Sequence, residues 1–92
     1  MARQKIWEVF LTKPAEKNYD RVTNELREQF DLCFASLEDN PLFGTNIRPL
    51  TGSLKGLFRY RTGDWRIIYR PQEDRKIVEI IAILPRGDAY KK

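Results

Sequence analysis

The chain has 92 residues and a mass of 10.9 kDa, with 17 Lys and Arg against 13 Asp and Glu, a net charge of +4 and a pI near 9.4. That length fits one domain over residues 1–92 with one modest core. It holds no histidine and a single cysteine, Cys33, which excludes an imidazole base or ligand, an internal disulfide and a multi-cysteine zinc site.

Lys5-Ile6-Trp7-Glu8-Val9-Phe10-Leu11 is rich in β-branched and aromatic residues and predicts a strand. Thr12 and Pro14 end it: threonine suits a helix N-cap and proline the first helical turn. Apolar residues then fall at Ala15, Tyr19, Val22, Leu26, Phe30, Cys33 and Leu37, in steps of three and four, an amphipathic helical stripe that Phe34 widens. Thr23 and Asn24 interrupt it and offer a second N-cap. Two helices over 14–21 and 24–39 in a hairpin are expected, with one long helix as the alternative. Asn40-Pro41 stops the second.

Residues 40–53 hold Pro41, Gly44, Pro49 and Gly52 and read as a loop. Three strands follow, over 54–61, 65–70 and 76–84. The turns between them, Thr62-Gly63-Asp64 and Pro71-Gln72-Glu73-Asp74, are short enough to force antiparallel pairing. The expected architecture is α+β: a small, mostly antiparallel four-stranded sheet, made of the N-terminal strand and the C-terminal meander, with the helical hairpin on one face.

Alternation sorts the meander by face. In its first strand Leu54, Gly56, Phe58 and Tyr60 oppose Lys55, Leu57, Arg59 and Arg61. In the second Trp65, Ile67 and Tyr69 oppose Arg66, Ile68 and Arg70. In the third Val78, Ile80, Ala82 and Leu84 oppose Ile77, Glu79, Ile81 and Ile83. The apolar faces belong on the helices, so Phe58, Tyr60, Trp65 and Tyr69 read as core, as does Trp7. Cys33, on the helical stripe with no histidine to activate it, reads as a buried, inert thiol. The other sheet face then gathers Lys55, Arg59, Arg61, Arg66 and Arg70.

The charge is polarised in the same sense. Residues 1–47 carry six basic and eight acidic side chains, a net of −2; residues 48–92 carry eleven and five, a net of +6. Like charges opposed on a sheet destabilise it, and an anionic ligand that screens them accounts for the cluster; a solvated, aggregation-resistant face is the other reading. No carboxylate cluster at ligand spacing appears, so neither a metal nor another cofactor is expected. No segment approaches the ~20 apolar residues of a membrane helix, and no signal-peptide stretch opens the chain. The expectation is a cytoplasmic protein with no membrane partner.

The run Ile47-Arg48-Pro49-Leu50-Thr51-Gly52-Ser53-Leu54-Lys55-Gly56-Leu57-Phe58-Arg59-Tyr60-Arg61, then Gly63-Asp64-Trp65-Arg66-Ile67-Ile68-Tyr69, then Ile83-Leu84-Pro85-Arg86-Gly87-Asp88-Ala89-Tyr90, resembles the RelE/ParE superfamily of type II toxins, the RelE branch more than the ParE branch. The resemblance covers nearly the whole chain. It implies a ribosome-dependent endoribonuclease that cuts messenger RNA in the decoding site, with rRNA contacts, held inactive by a cognate antitoxin, acidic and helix-forming. It also implies the site. Arg66 matches an arginine on the scissile phosphate, Arg59 a catalytic Lys or Arg, Arg86 the C-terminal arginine and Tyr90 the terminal tyrosine; Arg61, Arg70 and, more loosely, Lys55 would bind RNA. Leu57 and Pro85 depart from the pattern where some members carry Lys, or His or Lys. A gyrase-inhibiting, ParE-like toxin without nuclease chemistry and an inactive, antitoxin-binding member are the alternatives.

Overall fold

The computed structural model of the chain describes residues 6–85. Its elements run β1 (Glu8–Leu11), α1 (Lys13–Asp20), α2 (Asn24–Asp39), β2 (Ile47–Pro49), a 3-10 turn (Gly52–Leu54), β3 (Phe58–Thr62), β4 (Trp65–Gln72) and β5 (Ile77–Pro85). The strands form one sheet in the order β1-β5-β4-β3-β2. All neighbours pair antiparallel except β1 and β5, which are parallel. The α+β architecture agrees with the sequence reading. The sheet is five-stranded rather than four-stranded, because Ile47–Pro49, read as loop, pairs with Phe58–Tyr60.

The two-helix reading holds, because each helix carries its own start signal. The Thr12 hydroxyl accepts the Ala15 N–H at 3.4 Å, with Pro14 in the first turn, and the Thr23 hydroxyl accepts the Leu26 N–H at 3.3 Å. The predicted stripe supplies the core. Ala15, Phe30, Cys33 and Leu37 are buried with Trp7, Ile67, Tyr69, Val78, Ile80 and Ile83, and Tyr19, Val22, Leu26, Phe34, Phe58, Tyr60 and Trp65 pack on its margin. Full burial of side chains such as Phe30 or Leu37 contributes about 1.5–3 kcal/mol each. Trp65 meets Phe30 edge-on at 5.5 Å between centroids, and Phe58 stacks on Tyr69 at 5.8 Å. Both helices therefore pack on one sheet face; no described helix covers the other, which we term the open face.

Three local readings change. The first meander strand begins at Phe58, not Leu54, since Gly52 and Gly56 take φ of +64° and +97° and build turns before it. β4 runs through Pro71 to Gln72, so the following turn is shifted to residues 73–76, with Lys76 at φ +55°. The proline is tolerated because β3 pairs no further than Phe58 with Tyr69, which leaves that side of β4 without a ladder to break. Finally, β5 does not alternate simply. Tyr69 faces Ile80 while Ile68 faces Ala82, so Ile81 is an extra residue. This bulge puts Ile83 in the core and Leu84 on the open face, the reverse of the alternation read from the sequence.

Helix α1 covers the edge of β5 beyond the end of β1. The Thr12 N–H donates to the Ile80 carbonyl at 3.0 Å, and its hydroxyl donates to the Ile80 and Ile81 carbonyls at 2.9 and 3.1 Å. The Ile83 N–H donates to Asn18 Oδ1 at 3.0 Å. Side chains thus replace the missing strand as partners for the bulged backbone. Among the described residues no helix is long and apolar enough to cross a membrane.

Candidate functional site

The open face is organised by strand register. Core residues on either side fix the direction of each arginine: Ile47 packs on the core beside Arg48, Phe58 and Tyr60 flank Arg59, and Ile67 follows Arg66. Arg48 of β2 lies directly opposite Arg59 of β3, and Arg61 of β3 directly opposite Arg66 of β4. Ile68 of β4 continues the Arg48–Arg59 level, opposite Arg59 and Ala82. Four arginines on three adjacent strands therefore share one face, in two opposed pairs.

Burial divides them. Arg59 and Arg66 are only 8% and 9% exposed, the buried charged residues of the described chain, while Arg48 and Arg61 are exposed. The buried Nε of Arg59 has no hydrogen-bond partner. Arg66 turns Nη1 back to the Trp65 carbonyl at 3.2 Å. Among the described residues neither buried guanidinium forms an ion pair with a carboxylate. Each opposed like-charge pair costs ~0.2–1 kcal/mol, and a buried unpaired donor costs about 1–3 kcal/mol. The fold alone gains nothing from this arrangement; an anion bound on the face would supply the missing acceptors.

The remaining expected site residues are distributed differently. Lys55 lies in the turn before β3, exposed, rather than on the strand face with Arg59. Arg70 is on the open face but opposite Glu79 of β5, two residues beyond Ile68, and so sits next to an acid. Arg86 and Tyr90 lie outside the described residues. Arg48 lies in the resembling run but has no role assigned by it, and its strand is three residues long and contains Pro49, so alternation does not place it on the face. Its register with Arg59 depends on pairing, which no local pattern encodes. Tyr69 and Cys33 are core groups, as read from strand alternation and from the helical stripe respectively. The Tyr69 hydroxyl donates to the Pro41 carbonyl at 2.6 Å, and burial pushes its pKa well above the usual tyrosine value. Burial likewise raises the Cys33 thiol above 9.0. Among the described residues no group of Cys, Asp and Glu is placed to hold a metal ion.

The sequence profile described as "ParE toxin of type II toxin-antitoxin system" matches residues 9–90, nearly the whole chain. The chain belongs to this toxin family. It is a type II toxin of the RelE/ParE superfamily. A protein named Toxin RelE from Mycobacterium tuberculosis is 30% identical over 87 residues, which cover 92% of this toxin and 87% of that protein. A chain in the crystal structure of the M. tuberculosis toxin–antitoxin complex RelBE2 superposes with a TM-score of 0.77 at 25% identity, covering 87% of this toxin and 98% of that chain. A chain of the archaeal RelE–RelB complex from Pyrococcus horikoshii gives a TM-score of 0.77 at 27% identity, covering 91% and 99%.

Proposed function

We propose that this toxin is a ribosome-dependent endoribonuclease that cuts messenger RNA in the decoding site and so inhibits translation. The observation that carries the reading is Arg59, a buried guanidinium with an unpartnered Nε, set on an open face beside the opposed pair Arg61 and Arg66. RNA supplies a row of phosphates to such a face, and the likeness to Toxin RelE supports this substrate over other polyanions.

In the proposed reaction the 2′-OH attacks the adjacent phosphorus, the bond to the 5′-oxygen breaks, and a cyclic phosphate and a 5′-hydroxyl result. Arg66 and Arg59 stabilise the charge on the phosphorane, because guanidinium stays protonated and presents a planar fork of donors. Tyr90 acts as the general base toward the 2′-OH or stacks on a base, and Arg86 supports that tyrosine or the leaving oxygen; both enter the site by resemblance and lie outside the described residues. Lys55, Arg61 and Arg70 bind RNA. The reaction uses neither metal nor cofactor. With no histidine in the chain, proton transfer has few groups to draw on, and orientation of the RNA by the ribosome, with rRNA contacts, makes up the difference. The protein works in the cytoplasm, over its whole length as one domain. Its partner is a cognate antitoxin, a reading supported by its likeness to the archaeal RelE–RelB complex, and that antitoxin is acidic and helix-forming.

The test is induction in cells followed by primer extension across abundant transcripts, with purified programmed ribosomes as the second arm. Codon-phased cuts are expected, and Arg66→Ala lowers the cleavage rate about 10²–10³-fold, the loss typical for removing one oxyanion donor. Cleavage at the wild-type rate by that variant overturns the assignment. Because the matching profile is a ParE profile, gyrase inhibition is the second reading; intact messages with blocked DNA supercoiling would establish it. Intact messages with normal supercoiling would leave an inactive antitoxin-binding member.

A further inference from the structure

We infer that Asn18 of α1 is a positioning residue for Arg66: with Thr12 it holds the bulge at Ile81, and the bulge sets Leu84 against Arg66. The inference rests on the nuclease reading above, in which Arg66 acts on the phosphorane, and deepens it by tying the open face to a helix that carries none of the site residues.

Strand parity makes the bulge consequential. Val78 and Ile80 of β5 are fully buried core residues. Strict alternation from them would turn Ala82 and Leu84 into the core and Ile83 onto the open face. The extra residue at Ile81 reverses this. Ile83, 1% exposed, enters the core opposite Ile67, while Leu84 lies opposite Arg66 on the open face. Direct partners on one sheet face have Cβ atoms about 4.5–5.5 Å apart. Half-buried Leu84 therefore flanks Arg66 on the β5 side, as Arg61 does on the β3 side. Arg66 is 9% exposed, and its hydrogen bond to the Trp65 carbonyl stays within β4. Cross-strand packing thus supplies the lateral constraint on this guanidinium, and Leu84 is its apolar half.

The bulge in turn is held from α1. A bulge disrupts the local ladder and leaves backbone groups in need of partners. The Thr12 hydroxyl donates to the Ile80 and Ile81 carbonyls, at the bulge itself. Asn18 Oδ1 accepts the Ile83 N–H at 3.0 Å, just beyond it. The two side chains bracket the extra residue, and Asn18 fixes the segment that runs on to Leu84. Thr12 also caps α1, so Asn18 is the cleaner position to alter.

The test compares the full-length wild type with Asn18→Ala, Asn18→Asp, Leu84→Ala and the Asn18→Ala/Leu84→Ala double variant. Messenger RNA cleavage on programmed ribosomes is followed as kcat and KM per folded molecule, and hydrogen exchange of the Ile83 amide is read by NMR on 15N-labelled protein. Asn18→Ala is expected to lower kcat about 10-fold or more, since small misplacements of a catalytic group are costly, with KM changed by no more than about twofold. Its Ile83 amide exchanges faster. Asn18→Asp keeps the acceptor oxygen and restores both properties. Leu84→Ala reproduces the kcat loss with the Ile83 amide still protected, and the double variant is no worse than Leu84→Ala, because both act through one contact. Leu84 lies outside the core, so Leu84→Ala folds even where Asn18→Ala does not and keeps the arrangement open to refutation. Wild-type kcat in Leu84→Ala or in folded Asn18→Ala, an Ile83 amide that stays protected in Asn18→Ala, or losses that multiply in the double variant would overturn the positioning role, while cleavage by the wild type leaves the proposed function standing. If the wild type cuts no message, both readings fall together.

Discussion

Arg48 and Arg59 stand directly opposite one another across β2 and β3, two cations in register on the same open face, with the inner one buried and its Nε unpartnered. Such a pair opposes folding and therefore predicts a trade between stability and activity. Arg59→Met keeps most of the side-chain volume, removes the opposed charge and removes the orphan donor. The variant is expected to be more stable than the wild type by about 1 kcal/mol or more, measured by urea denaturation. It is also expected to lose messenger RNA cleavage. A variant that is less stable would show that the guanidinium has a structural partner.

The same face predicts stabilisation by polyanions. Inorganic triphosphate binds the folded chain in preference to the unfolded one and raises the melting temperature with concentration, following mass action. The gain is expected to shrink steeply between low and moderate NaCl, as counterions compete for the arginines. Arg59→Met should blunt the shift. An unchanged shift in that variant would place triphosphate elsewhere.

Tyr69 ties β4 to the loop after α2. Its hydroxyl donates to the Pro41 carbonyl at 2.6 Å inside the core. Tyr69→Phe leaves that carbonyl buried without its partner and is expected to cost about 1–3 kcal/mol, with an unchanged urea m-value. A loss within the error of the measurement would mean that another donor reaches Pro41.

Alkaline pH provides an independent check on the same core. Burial raises Tyr69 above its ordinary 10.0 and Cys33 above its ordinary 9.0. Above those values the unfolded chain releases protons that the folded chain retains, so stability is full below pH 9 and declines as pH rises past 9 and then 10. Tyr69→Phe is expected to flatten the upper part of this decline, read from denaturation midpoints across pH. Cys33 should also resist thiol reagents in native buffer and react only on unfolding.

Thr12 joins two tasks in one hydroxyl: it caps α1 and donates to the Ile80 and Ile81 carbonyls at the β5 bulge. Thr12→Val keeps the shape and removes both. The expected loss is about 1–2 kcal/mol, with most of it restored in Thr12→Ser, which retains the oxygen. Equal losses in the two variants would assign the effect to packing of the methyl group instead.

The sequence alone determined the parts that local chemistry controls. The helical stripe from Ala15 to Leu37, the caps at Thr12 and Thr23, the Gly63 turn and the opposed faces of Tyr60 against Arg59 or Tyr69 against Arg66 all follow from spacing and residue type. They come out as read, because a period of 3.6 or 2 and a capping oxygen act within one element. Tertiary structure decided the rest through hydrogen bonds between distant segments. Residues 47–49 become a strand only because β3 offers its edge, and that pairing alone brings Arg48 against Arg59. The bulge at Ile81, held by α1, reverses the faces of Ile83 and Leu84. The polarised charge was thus visible as a sum of −2 and +6, but its sorting into two arginine pairs was fixed by strand register, a property of two chain segments and not of either one.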